Sequence, residues 1–219
     1  MSVYTDRAVA PDWQPATPDA PYENALELVH LGDLSWEAFK IPVPNPAIAG
    51  LFSLALSRFD LFLEDQGFHG DFMNAGGLNQ FDGDAWYDWM GENGEEFDRD
   101  VFDIEMTYQD DIHERPVSGT YRLTCHVDGA DDTYVIYAQN VDELLACQTV
   151  LTNYARIMPY DIAMTTETHV LMQEAWVETR LLSDAQLRAL TAPYTPTDED
   201  EDETPASQVT DHVDLTDLV

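Results

Sequence analysis

The sequence predicts an α+β fold, a three-stranded antiparallel meander packed with helices, on three observations. Residues 101–109 and 120–127 alternate apolar and polar side chains with period two, the pattern of half-buried strands. Residues 133–138 are apolar on both faces, as in a strand covered on each side. A well-capped amphipathic stretch follows at 140–158 and supplies a helix to cover the meander.

In chain order, residues 1–22 form an extended arm, because Pro11, Pro15, Pro18 and Pro21 are too closely spaced for helix or central strand. Trp13 within it needs something to pack on, in this chain or a neighbour. From Asn24 to Val43 the leucines and aromatics fit either a strand pair about Gly32-Asp33 or a short helix from near Asp33. Pro42, Pro44 and Pro46 follow as a stiff link, and Asn45-Pro46 is an N-cap with proline at the first helical position. The helix then runs from Ala47 to Gln66, and its apolar residues occupy well over half the circumference. Such a helix is the domain's centre or offers a face, including Phe52 and Phe59, to a second subunit.

Residues 67–100 interleave glycines with acids and aromatics and read as a long loop, with one helical turn at Asp84 to Met90. Trp86 and Trp89 make this segment a candidate binding surface. In the meander, Phe102, Ile104, Met106 and Tyr108 face inward from the first strand, and Tyr121, Leu123, Cys125 and Val127 from the second. Antiparallel pairing sets Glu105 opposite Arg122. Asp128-Gly129 supplies a turn into strand three, and Asn140 caps the helix carrying Leu144, Leu145, Leu151, Ala155 and Met158. After Pro159 a further helix is expected from Thr166 to Leu182, then a short one opened by the capping box Ser183-Asp-Ala-Gln186. The chain thus divides into an arm (1–22), one α+β domain (23–192) and an acidic tail (193–219). The acids 198–203 bury no core, while the stretch 211–219 regains Val213, Leu215, Leu218 and Val219 and reads either as a plain disordered terminus or as a docking peptide. No internal repeat is found.

Charge dominates the composition: 43 acids against 9 bases give a formal net charge of −34, with a single lysine, Lys40. Apolar residues still make up 44% and aromatics 11%, so the chain has the means to bury a core. A folded core under an acidic, lysine-poor surface resembles proteins of extreme halophiles, especially haloarchaea. At about 1 M salt the Debye length is about 3 Å, which screens self-repulsion that dilute buffer leaves intact. Direct nucleic-acid binding is disfavoured, since no basic patch could replace counterions on phosphates. The start lacks a signal-peptide pattern, and the longest apolar run, Ala47 to Ala55, is too short to span a bilayer. A cytoplasmic protein, or one packaged into a virus particle, is expected. Cys125 and Cys147 both fall at inward positions and read as buried thiols.

Candidate chemistry is sparse. Asp82, Asp84 and Asp88 could offer oxygen ligands to a hard cation such as calcium, without the twelve-residue spacing of an EF-hand. The six histidines show no metal-ligand spacing, and no nucleophile elbow, phosphate loop or dinucleotide fingerprint is present. The expected function is therefore a non-enzymatic structural or assembly subunit of a larger complex in an extreme halophile, with a haloarchaeal virus particle as one concrete setting. It would have protein partners or self-association, no membrane span, no cofactor and no identified small-molecule substrate. The alternatives are a metal-dependent binding module or enzyme using residues 67–100, and a DNA-mimic inhibitor.

Overall fold

The computed structural model describes residues 14–17, 20–32, 38–68, 75–91, 94, 96–97, 109–138, 140–158, 162–172 and 175–179. In chain order the elements are β1 (Leu26–Leu31), β2 (Phe39–Val43), α1 (Pro46–Asp65), β3 (Ala75–Phe81) and β4 (Trp86–Asp88). The helical residues 109–114, α2, come next. They precede β5 (Tyr121–Val127), β6 (Tyr134–Ala138), α3 (Val141–Ile157), β7 (Met164–Met172) and β8 (Ala175–Glu178). The strands form two four-stranded antiparallel sheets, ordered β2-β1-β3-β4 and β6-β5-β7-β8.

This corrects the single three-stranded meander. Strands β5 and β6 pair as the alternation predicts, but the other neighbour of β5 is β7. Arg122 consequently lies between Tyr137 and His169. The strand expected at 101–109 falls outside the described residues except for Gln109, which is helical. The helix expected from Thr166 is β7 and β8. Thr165, Thr166, Thr168 and Val170 are β-branched and lose side-chain freedom in a helix, while β5 offers an unpaired edge along the same length. The loop expected at 67–100 contains the hairpin β3–β4, and the helical turn expected from Asp84 is β4. Of the two readings of 24–43, the strand pair is the one formed.

Each sheet carries its own helix on its inner face, α1 against β1, β2 and β3 and α3 against β5, β6 and β7, and the two helices pack on each other. The inward side chains Leu28, Leu78, Leu123, Ile136 and Val170 meet Leu51, Leu56, Leu144 and Leu151 in one continuous core. Helix α1 is central to it: from Ala47 to Ser57 every residue is buried. It is also long and apolar enough to cross a membrane by length and composition, although 78% of that stretch is buried by the protein's own elements.

The two sheet-and-helix units repeat one another, a repeat that residue identities do not reveal. The pairing of Leu26 with Val43 recurs as Tyr121 with Ala138, and that of His30 with Phe39 as Cys125 with Tyr134, at the same offset. Asn45 and Asn140, at that offset too, each cap their helix by accepting a hydrogen bond from the N–H three residues on, at 2.9 Å. Along the helices Ala49, Phe52, Ala55, Leu56 and Phe59 of α1 and Leu144, Cys147, Val150, Leu151 and Tyr154 of α3 occupy matching buried positions. After a shorter connection in the second unit, Phe81 with Trp86 recurs as Leu171 with Trp176. Identical residues are few, among them Leu28/Leu123, Ile41/Ile136, Leu56/Leu151 and Trp86/Trp176.

The units also exchange aromatics across the shared core. Phe39 of β2 packs on Tyr154 of α3 at 5.4 Å, and its counterpart Tyr134 of β6 packs on Phe59 of α1 at 5.3 Å. Tyr134 donates its buried hydroxyl to the carbonyl of Ala55 at 2.7 Å.

Candidate functional site

Two groups of chemistry-bearing side chains stand out, one inside and one outside. The inner group sits where the units meet. His30 (β1) places Nε2 2.7 Å from Asp60 Oδ2 (α1), and the hydroxyl of Tyr154 (α3) donates to the same oxygen at 3.0 Å. The His30 and Tyr154 rings meet edge to face at 5.1 Å. Asp60 is 0% exposed, His30 2% and Tyr154 2%. A buried carboxylate requires donors, and these two supply them, while Oδ1 meets no hydrogen-bond partner among the described residues. Gly32 closes the group: a Cβ there would lie 1.9 Å from the Tyr154 hydroxyl oxygen. A His–Asp–Tyr set has the functional groups of acid–base chemistry, but a reacting molecule would have to reach it. Sealed as it is, the group ties β1, α1 and α3 together. The matching positions in the second unit are Cys125, Ala155 and Phe59, so the polar contact is made once where the repeat would allow two.

The outer group lies on the face of the second sheet turned away from the helices. Strand pleating sends Tyr137 (β6), Arg122 (β5), His169 (β7) and Glu178 (β8) outward in one row across the sheet. Arg122 stacks its guanidinium 4.4 Å over the Trp176 ring, and Tyr137 lies 6.0 Å from the same ring. His113 of α2 joins from the side, with Nδ1 3.3 Å from the Tyr137 hydroxyl. His126 sits two outward rows along β5 from Arg122, 3.8 Å from Glu167, beyond hydrogen-bond reach. Burial raises the pKa of the Tyr137 hydroxyl, partly offset by Arg122. The imidazole of His169 is held below its ordinary value, first by burial and then by Arg122, against the raising pull of Glu167 and Glu178.

Three nitrogen atoms of this face, Arg122 Nε, His126 Nε2 and His169 Nδ1, are shielded from solvent and meet no hydrogen-bond partner among the described residues. The first sheet does not share this character. At the position of Arg122 it has Glu27, whose carboxylate lies 3.3 Å from Lys40 Nζ, and at that of Tyr137 it has Pro42. Its Trp86 packs on Phe81 at 5.3 Å.

The strands at the rims of this sheet are treated differently. The Gln109 side chain donates to the carbonyl of Tyr137 at 2.8 Å and accepts from its N–H at 2.9 Å, so one amide occupies the β6 edge as a partner strand would. Strand β8 is the opposite rim.

The sequence-predicted site residues are dispersed. Asp82 holds the β3–β4 turn: its Oδ1 accepts from the N–H groups of Asp84 and Ala85 at 2.8 and 2.9 Å, which lowers its pKa. Asp84 is exposed in that turn, and Asp88 lines a cavity of about 320 Å³ with Gly76, Gly77, Leu78, Trp89 and Phe97. Among the described residues no three histidine, cysteine, aspartate or glutamate side chains are grouped to hold a metal. Phe52 and Phe59 lie in the core, Trp86 is half-buried on β4, and Trp89 packs against the core's margin. Trp13, Leu215 and Leu218 lie outside the described residues. Sequence reasoning passed over both groups because their members are far apart in the chain and join only through sheet register and helix packing.

No family model, no curated protein and no solved structure matches this chain.

Proposed function

We propose that the chain is a non-enzymatic, self-associating assembly subunit adapted to high salt, engaging further copies of itself through the outer face of its second sheet. One observation carries this reading. In a chain of 43 acids and 9 bases, Arg122, His126 and His169 lie with Trp176 and Tyr137 on one sheet face, with His113 of α2 at its side and the carboxylates of Glu167 and Glu178 among them. Arginine and aromatic side chains together are the usual anchors of protein interfaces, supplying rigid apolar area with directional hydrogen bonding. The sealing of the His30–Asp60–Tyr154 group favours a structural role for the one set of residues whose chemistry would suit catalysis. The acidic composition fits a cytoplasm, or a virus particle assembled in one, at multimolar salt, where repulsion among carboxylates is screened.

Size exclusion coupled to light scattering, on the full chain in multimolar KCl across a concentration series, tests the reading. A mass rising above one chain is the expected result. A monomer at every concentration would overturn the self-association it proposes.

A further inference from the structure

The occupant of the outer face follows from the same residues, and this step rests on the assembly reading above. We infer that the face seats the acidic, apolar segment 211–219 of a second copy of the chain. Three features of the face fit that segment.

The first is what the face lacks. Among the described residues the N–H of Arg122 Nε meets no acceptor, and His126 Nε2 and His169 Nδ1, likewise without a hydrogen-bond partner there, are on the same side of the sheet. Leaving such groups unpaired costs stability that an incoming acceptor would recover. Segment 211–219 brings three carboxylates, Asp211, Asp214 and Asp217. Carboxylates are the geometric match of a guanidinium, and bonds between the two charged groups are the strong ones.

The second is the apolar part. Trp176 is half-buried and Tyr137 presents its ring beside it, a platform with no counterpart on the first sheet, where proline stands in the place of Tyr137. Segment 211–219 interleaves its acids with Val213, Leu215, Leu218 and Val219, so it can cover the rings while its carboxylates reach the Arg122 guanidinium. The run 198–203, all acid, could meet the charges only.

The third is position and salt. The β6 rim is occupied by Gln109, whereas β8, which carries Trp176, is an outer strand of the sheet. An approach from the β8 side meets Trp176 and then Arg122. In multimolar salt an exposed ion pair contributes little, since charges are screened within a few ångströms. A guanidinium half-buried against Trp176 and roofed by the apolar side chains of an incoming segment is drier and keeps its strength there, which is how a carboxylate contact can work in such a medium.

The test uses the full chain in multimolar KCl and reads the self-association constant by sedimentation equilibrium. Arg122→Gln and, separately, the double variant Leu215→Asp/Leu218→Asp are each expected to weaken association by at least about tenfold. The second variant leaves every residue of the described core unchanged, so a folding defect in the first cannot hide the answer. A synthetic 211–219 peptide, added to the parent chain, should dissociate the assembly while its Leu215→Asp/Leu218→Asp form should not. If the parent chain does not associate, the assembly reading itself fails. If it associates and both variants do so equally well, the reading stands and this inference falls. If the peptide binds without changing the mass, the segment seats on its own chain and the second-copy inference is likewise overturned. Tighter capture of inorganic phosphate than of the peptide would mark the face as a phosphate site and would also refute it.

Discussion

Replacing Tyr154 with phenylalanine removes one hydroxyl from the junction between the two units and little else. The ring would keep its contacts with His30 and Phe39, at 5.1 and 5.4 Å, so the core stays filled. What is lost is the 3.0 Å hydrogen bond to Asp60 Oδ2. Asp60 is fully buried and its Oδ1 already lacks a partner, so the variant leaves the carboxylate with His30 as its remaining described donor. Hydrogen bonds to charged groups contribute about 1.5–3 kcal/mol, and because His30 still serves the same oxygen the loss falls in the lower half of that range. A loss of about 2 kcal/mol is therefore expected, or about 5 °C in Tm for a domain of this size. Urea and thermal unfolding in multimolar KCl, followed by tryptophan fluorescence, would measure it. High salt should not mask the effect, because screening acts weakly on a buried pair. Adding Asp60→Asn in a double-mutant cycle should show coupling, since both changes act on one bond. A change within about 0.5 kcal/mol, of the size found at neutral surface positions, would refute the claim that this group clamps the units together.

Other consequences are open to simpler checks. Gly76→Ala would place a Cβ 2.5 Å from the carbonyl oxygen of Val29, in backbone that cannot give way without parting β1 from β3, so a destabilisation of about 1–3 kcal/mol is expected in the same unfolding assay. Cys125 and Cys147 are buried thiols that form no disulfide, and burial pushes the Cys125 thiol up to about 12, so both should resist alkylation in the folded chain and react on unfolding. His169 titrates below its ordinary 6.5 in the folded chain. Above about pH 6.5 both states leave it neutral; as pH falls through that value the unfolded chain takes the proton first, so its share of stability is lost downward. Relative to His169→Gln, the parent chain should therefore lose stability more steeply below that pH. Finally, dilution from multimolar KCl should unfold the chain, as circular dichroism would show; a chain that stays folded in dilute buffer would favour the DNA-mimic alternative.

The elements that the sequence shows clearly are those whose signal is local. Asn45-Pro46 and Asn140 announce both long helices, and the alternation from Tyr121 to Val127 announces β5. What it hides depends on partners distant in the chain. Residues 164–172 read as helix by apolar spacing and as strand by their threonines, and the free edge of β5 decides between them. Gly76 and Gly77 look like loop residues, yet Gly76 is required inside β3 because β1 backbone passes too close for a side chain. The repeat is preserved in register, caps and burial while side chains have diverged, down to Phe59 against Tyr154 and Asp60 against Ala155. Those same divergences create both groups, which is why neither histidine spacing nor a motif points to them.

The most direct measurement of the central claim is hydrogen–deuterium exchange in multimolar KCl, comparing dilute with concentrated full chain. Added protection at high concentration is expected at β8 and at the outward-facing flank of β7, around Trp176 and His169, with α1 unchanged. Protection that appears elsewhere, or no difference between the two concentrations, would contradict the assignment of this face as the place where the chain meets its partner.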